Sequence, residues 1–199
     1  MNEAVELARE LIRIDSVGGG EAAVAGPLAR RLSDAGFAVR AHEHAPGRTG
    51  LVARWGTGEP VTLTGHLDTV PLGGQAWRHA PHGAEIDGDR LYGRGSSDMK
   101  AGVAALVIAA ERHVRRTGPK VALEMVFTVG EETGCEGAAG MVAEGLVGRS
   151  RALLVAERPP TGCCSGTRAR SGWRPPREAR RRTVRCRIWA TTRSTSSPA

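Results

Sequence analysis

Residues 121–129, VALEMVFTV, form an apolar run of strand length, interrupted by a single glutamate and stopped by glycine at 130. An edge strand would alternate polar and apolar positions, so a run like this one reads as a strand covered on both faces. Its neighbours sharpen that reading. Residues 99–116 place Val103, Leu106, Val107, Ala110 and Val114 on one side of a helix, which Gly118 and Pro119 stop. After the apolar run come a short helix over 137–146 and a second buried strand over 152–156. Helix alternating with buried strand predicts an α/β fold with helices on both faces of the sheet.

Upstream, residues 2–14 put Val5, Leu7, Ala8, Leu11 and Ile12 at helical spacing with charges between them. The stretch 15–20 breaks that helix. A second helix is predicted over 21–35, with Gly36 in the position that commonly ends one. Residues 37–44 alternate as a strand does, residues 45–47 turn the chain, and 51–55 and 61–64 read as two more short strands. No internal repeat is evident.

The formal net charge of +7 suggests an anionic partner until its distribution is considered. Eleven of the 28 basic residues lie after Glu157, but only one of the 21 acidic residues does, so the body carries a net −3. Cys135 stands alone in the body, while Cys163, Cys164 and Cys186 follow it without the spacing of a zinc ribbon or a disulfide framework. The amphipathic, acidic start has no signal-peptide core, and no apolar run is long enough to cross a membrane. The expectation is a reduced, cytoplasmic protein.

Chemistry-bearing residues cluster just beyond the apolar runs. His66 and Asp68 lie two apart on an extended segment, GHLDTVP, so their side chains share a side, and a carboxylate there can orient a ligating imidazole. Asp98 follows a glycine-rich turn and opens the helix over 99–116; it suits a helix cap as well as a bridge between two cations. Glu131 and Glu132 end the run over 121–129. Two adjacent carboxylates repel unless a cation sits nearby, and on a strand end they point apart, so one can ligate while the other serves as a base. Glu157 ends the run over 152–156. Each has a plainer reading as a solvated loop acid, and Lys100 reads as part of a solvated helix face.

Taken together and in order, GHLDTVP at 65–71, LYGRGSSDMKAG at 91–102, GEETG at 130–134 and LLVAE at 153–157 resemble the zinc-dependent aminoacylase/carboxypeptidase family, which includes acetylornithine deacetylases and succinyl-diaminopimelate desuccinylases. The resemblance covers residues 1–157. It implies part of a three-layer αβα sandwich, the metallopeptidase catalytic domain, without the inserted lid and dimerisation domain. It implies two Zn2+ ions, with Co2+ as an alternative: His66 and Glu157 on the first, Glu132 on the second, Asp98 bridging both. Asp68 would orient His66, and Glu131 would be the general base in hydrolysis of an N-acyl amino acid or peptide amide. His42, His44, His79, His82 and His113 match no ligand position and read as surface or packing residues.

The resemblance stops at Glu157. In the family the chain continues into the lid, which supplies a substrate-contacting histidine and the homodimer surface, and then returns with a last zinc-binding histidine. Residues 158–199 are arginine-rich with few aliphatics, as a disordered basic tail would be. Back-translated with GC-rich codons and shifted in frame, they re-read as LLLGHKGALW, then AHGSMP and GDNAV, in family order. The expectation is therefore a frame change near Glu157, a truncated product of little or no activity, and loss of the dimer surface. The rival is a non-catalytic module that binds nucleic acid through its arginines, with steep salt dependence but only Trp173 and Trp189 as stacking platforms. Membrane and nucleic-acid partners are not expected.

Overall fold

The computed structural model of the protein describes residues 2–118 and 121–157. Helices α1 (Glu3–Ile12) and α2 (Glu21–Asp34) lead into strands β1 (Ala38–Ala45), β2 (Arg48–Trp55) and β3 (Val61–His66). A small hairpin, β4 (Glu85–Asp87) and β5 (Arg90–Tyr92), precedes the long helix α3 (Lys100–Thr117). Strand β6 (Leu123–Thr128), helix α4 (Glu136–Ala143) and strand β7 (Ala152–Val155) follow. The arginine-rich residues 158–199, on which the frame-change, disorder and nucleic-acid readings rest, lie outside the described residues.

Five strands form one sheet in the order β1-β2-β6-β3-β7. Strand β2 runs antiparallel to β1 and β6, whereas β3 is parallel to both β6 and β7. The apolar run predicted as a doubly covered strand is thus the central strand, and Met125 and Phe127 on it have no exposed surface. Its alternate residues divide between two cores. Leu123, Met125 and Phe127 join Leu51, Ala53 and Leu63 under α1, α2 and α3. On the opposite face Val52 and Val126 meet Met141 of α4, with Leu146 and Val147 alongside. The three-layer order is present, with its second helical layer formed by α4 alone among the described residues.

Local signals explain the helices. Asn2 caps α1 by accepting a hydrogen bond from the Ala4 amide at 3.0 Å, and Leu7, Ala8, Leu11 and Ile12 supply the buried stripe. In α3 the buried stripe takes in Lys100 and Glu111 besides Val103, Val107 and Ala110. Glu111 is matched there by Arg31 of α2, whose guanidinium donates to both carboxylate oxygens, at 2.5 and 2.9 Å. The helix–strand order expected from the sequence is observed, with element ends shifted by a few residues.

One expectation is corrected here, and one element is added. The strand over 152–156 is not fully buried: it lies at the sheet edge, and Leu153 and Val155 on its α4 side are exposed. The β4–β5 hairpin is an element the sequence does not announce. No helix among the described residues is long and apolar enough to cross a membrane.

The packing predicts an asymmetry between the helical layers. Leu28→Ala in α2 removes a side chain with no exposed surface and is expected to cost about 2–5 kcal/mol in urea denaturation. Val142→Ala, at a residue of α4 that is 64% exposed, is expected to stay within about 0.5 kcal/mol. Equal losses would contradict the placement of the core.

Candidate metal centre

Because β3, β6 and β7 are parallel, their C-terminal ends emerge at one edge of the sheet. That edge of a parallel sheet is where open α/β folds place ligands. His66 is the last residue of β3, paired in register with Thr128 of β6. Glu131 and Glu132 follow just beyond β6, and Glu157 just beyond β7. The N-terminus of α3 brings Asp98 to the same edge. It can approach closely because Gly102 leaves no Cβ to collide with the Ala156 carbonyl, and Gly65 leaves none against Met99 and Val103.

His66 is buried, and its two ring nitrogens face different partners. Nδ1 lies 2.9 Å from the Asp68 carbonyl oxygen and 3.5 Å from the Asp68 carboxylate. Nε2 lies 3.0 Å from the Asp98 carboxylate, 3.7 Å from that of Glu157 and 4.0 Å from that of Glu131. With Nδ1–H donating to the carbonyl, Nε2 is the nitrogen that faces the carboxylates and, once deprotonated, the one free to offer a lone pair to a cation. It is thus the backbone of Asp68 that makes the shorter bond to the imidazole. The Asp68 carboxylate also accepts hydrogen bonds from the amides of Glu131 and Glu132, at 3.2 and 3.0 Å. One buried side chain therefore joins the His66 strand end to the turn that carries both glutamates.

Two groups have the spacing of a cation site: His66 with Asp98 and Glu157, and His66 with Glu131 and Glu132. Every residue proposed from the sequence is in one of these groups except Asp68, which touches both. Among the described residues no lysine or arginine pairs with Asp98, Glu131 or Glu132. Burial raises the Glu132 carboxyl, and the negative charge of Asp98 raises it further, an imbalance that a cation would relieve. The donor set, one imidazole and several carboxylate oxygens, suits Zn2+. Asp98 does not cap α3: Met99 occupies that position and makes no side-chain cap bond. His42, His44, His79, His82 and His113 are in neither group.

Sequence reasoning misreads Lys100 and misses the ion-paired group of Arg48, Glu21 and Glu136. Lys100, expected on a solvated face, is fully buried; its Nζ donates to the Ile14 carbonyl at 2.7 Å, and burial pulls its ammonium down to about 8 against the opposing charge of Asp15. Arg48 links Glu21 of α2 to Glu136 of α4, at 3.1 and 2.9 Å, beneath the turn bearing Glu131 and Glu132. The Thr133 hydroxyl, the backbone and Arg48 together hold Glu136 down to about 2. The buried charges have one legible signal, their place on apolar helical stripes. Arg48, at a strand start, has none.

The imidazole's surroundings set a pH dependence. Burial opposes the charged ring, but the Asp68 and Asp98 carboxylates outweigh it and push His66 from 6.5 up to about 9 in the metal-free protein. A raised folded-state pKa contributes stability that is full below about 6.5 and is lost as pH rises through about 9. A Zn2+ ion taking His66 as a ligand would displace that proton, so such binding at pH 7 is expected to release close to one proton from His66. Calorimetry in buffers of different ionisation enthalpy measures the release, and His66→Gln is expected to abolish it. Proton release unchanged in that variant would contradict the assignment.

Comparison with known proteins agrees with this geometry. The sequence profile described as Peptidase family M20/M25/M40 matches residues 62–175, more than half of the chain. The succinyl-diaminopimelate desuccinylase of Dinoroseobacter shibae is 41% identical over 136 residues, 66% of this chain and 36% of the relative. The enzyme of that name from Halorhodospira halophila is 39% identical over 156 residues, 77% of this chain and 41% of the relative. The chain thus spans about two fifths or less of the length of these relatives. Among solved structures, an M20 family metallo-carboxypeptidase from Sulfolobus solfataricus superposes with a TM-score of 0.69 at 20% identity, over 78% of this chain and 37% of that one. A tripeptidase from Staphylococcus aureus gives 0.62 at 26% identity, over 77% and 42%. With the profile matched across the strand end bearing His66, the Asp98 turn and both glutamate-bearing strand ends, the chain belongs to peptidase family M20/M25/M40.

Proposed function

We propose that residues 1–157 are the N-terminal, metal-binding part of a hydrolase that cleaves the amide bond of N-acyl amino acids, of the desuccinylase or deacetylase type, with small peptides as the alternative substrate. One observation carries the proposal: the convergence of Asp98, Glu157 and Glu131 on Nε2 of the buried His66, at 3.0, 3.7 and 4.0 Å. His66 and Glu157 would hold one Zn2+, Glu132 a second, and Asp98 both, with Co2+ able to substitute. When bound, such ions polarise an acyl carbonyl and lower the pKa of a water. Asp68 keeps His66 oriented and fixes the backbone from which Glu131 projects. Glu131, partly in solvent and across from His66, is placed to take the water's proton and pass it to the departing amine.

The desuccinylase reading draws on relatives roughly 40% identical to this chain. Because the chain spans so little of their length, efficient turnover, a homodimer and a cytoplasmic setting are proposed for the longer protein. For residues 158–199 we propose an out-of-frame origin, and for the 199-residue chain little or no activity.

Resequencing the gene beyond the codon for Leu153, followed by expression in the restored frame, tests both parts. The restored protein is expected to release succinate or acetate from N-acyl amino acids in a Zn2+-dependent, chelator-sensitive way. In it, Glu131→Gln is expected to lower kcat by about 10²–10⁴ with metal content unchanged. A restored protein that hydrolyses no such substrate, or is indifferent to chelator, would contradict the proposal.

A further inference from the structure

Among the described residues, Lys100 is one of the largest side chains with almost no exposed surface. Burying an ammonium is costly, and a methionine would fill similar space without that cost, so packing alone does not account for a lysine here. The partner of its Nζ shows what the charge does. That partner is the carbonyl oxygen of Ile14, 86 residues away, at 2.7 Å. The Lys100 amide also donates to the Gly95 carbonyl at 2.8 Å, so this residue is tied into the turn that carries Asp98.

The segment 14–17 reaches the other side of the centre too. Ser16 Oγ donates to the Leu67 carbonyl at 2.8 Å, the Thr69 amide donates to the Ser16 carbonyl at 3.3 Å, and Val17 forms a β-bridge with Thr69. Leu67 lies between His66 and Asp68, and Thr69 follows them. One short connector between α1 and α2 is therefore bonded on one side to the Asp98 turn and on the other to the His66 strand end.

We propose that Lys100 is a positioning residue of the metal centre: by anchoring the Asp98 turn to the connector at 14–17, which Ser16 and Val17 anchor to the strand end, it sets the separation between Asp98 and His66. This inference rests on the metal-centre reading above. Lys100 touches no metal in it and acts only through Asp98.

The test uses the full 199-residue chain with Co2+ as the probe, reading affinity and visible absorption beside metal-free urea denaturation. Lys100→Met is expected to keep or raise the denaturation midpoint, yet bind Co2+ about 10–100-fold more weakly with an altered visible band. Ser16→Ala, which removes the bond to Leu67, is expected to weaken binding in the same direction. Leu32→Ala, buried in α2 away from the centre, serves as the control: it lowers the midpoint and leaves the Co2+ spectrum unchanged. Wild-type affinity and spectrum in Lys100→Met would overturn the proposal. If that variant does not fold, Ser16→Ala decides: weakened binding with an altered band supports the proposal, and unchanged binding overturns it. Failure of the wild-type chain to bind Co2+ would defeat the metal-centre reading itself, and the positioning role with it.

Discussion

The parallel register of β3 against β6 and β7 is the constraint on which the centre depends. It sends three strand ends to one edge of the sheet, and each end or the turn just past it carries a potential ligand: His66, the Glu131 and Glu132 pair, and Glu157. A shift of one residue would turn the alternate side chains of β3 or β6 to the wrong core. Leu63, Met125 and Phe127 on one face, with Val126 on the other, oppose such a slip. Hydrophobic packing along the strands thus fixes where the polar ligands emerge.

Electrostatics alone would push these groups apart. Four carboxylates face one edge of the protein, and the His66 imidazole lies within 4.0 Å of three of them, Asp98, Glu157 and Glu131. Hydrogen bonds resist the repulsion. Asp68 is held ionised, against the cost of its burial, by His66 and by the amides of Glu132 and Glu131. Arg48 pairs with both Glu21 and Glu136 beneath the glutamate turn, offsetting part of their charge. The protein therefore builds a negatively charged site on an ion-paired support, an arrangement suited to cation binding.

Much of this is legible in the sequence because the same residues carry both fold and chemistry. The apolar run at 121–129 identifies the central strand, and acids placed just beyond apolar runs point to the candidate site. Other features are hidden for physical reasons. Strand β7 has the composition of a buried strand, and sequence does not say that Leu153 and Val155 meet solvent at a sheet edge. The β4–β5 hairpin consists of three-residue strands around a Gly88-Asp89 turn, too short for alternation to register. Lys100 carries a usable signal: Val103 and Val107 follow it at 3 and 7 residues, on the same buried stripe of α3. A charge on such a stripe signals a buried partner rather than a solvated face. The contribution of the Asp68 backbone carbonyl is beyond reach, since any residue at 68 would supply one.

Anomalous diffraction at the zinc edge, from crystals of the full chain soaked in Zn2+, tests the central claim most directly. The predicted result is a peak about 2.0–2.1 Å from His66 Nε2, flanked by the carboxylates of Asp98 and Glu157. A peak confined to an exposed pair such as His79 and Glu85, or none beside His66, would contradict it.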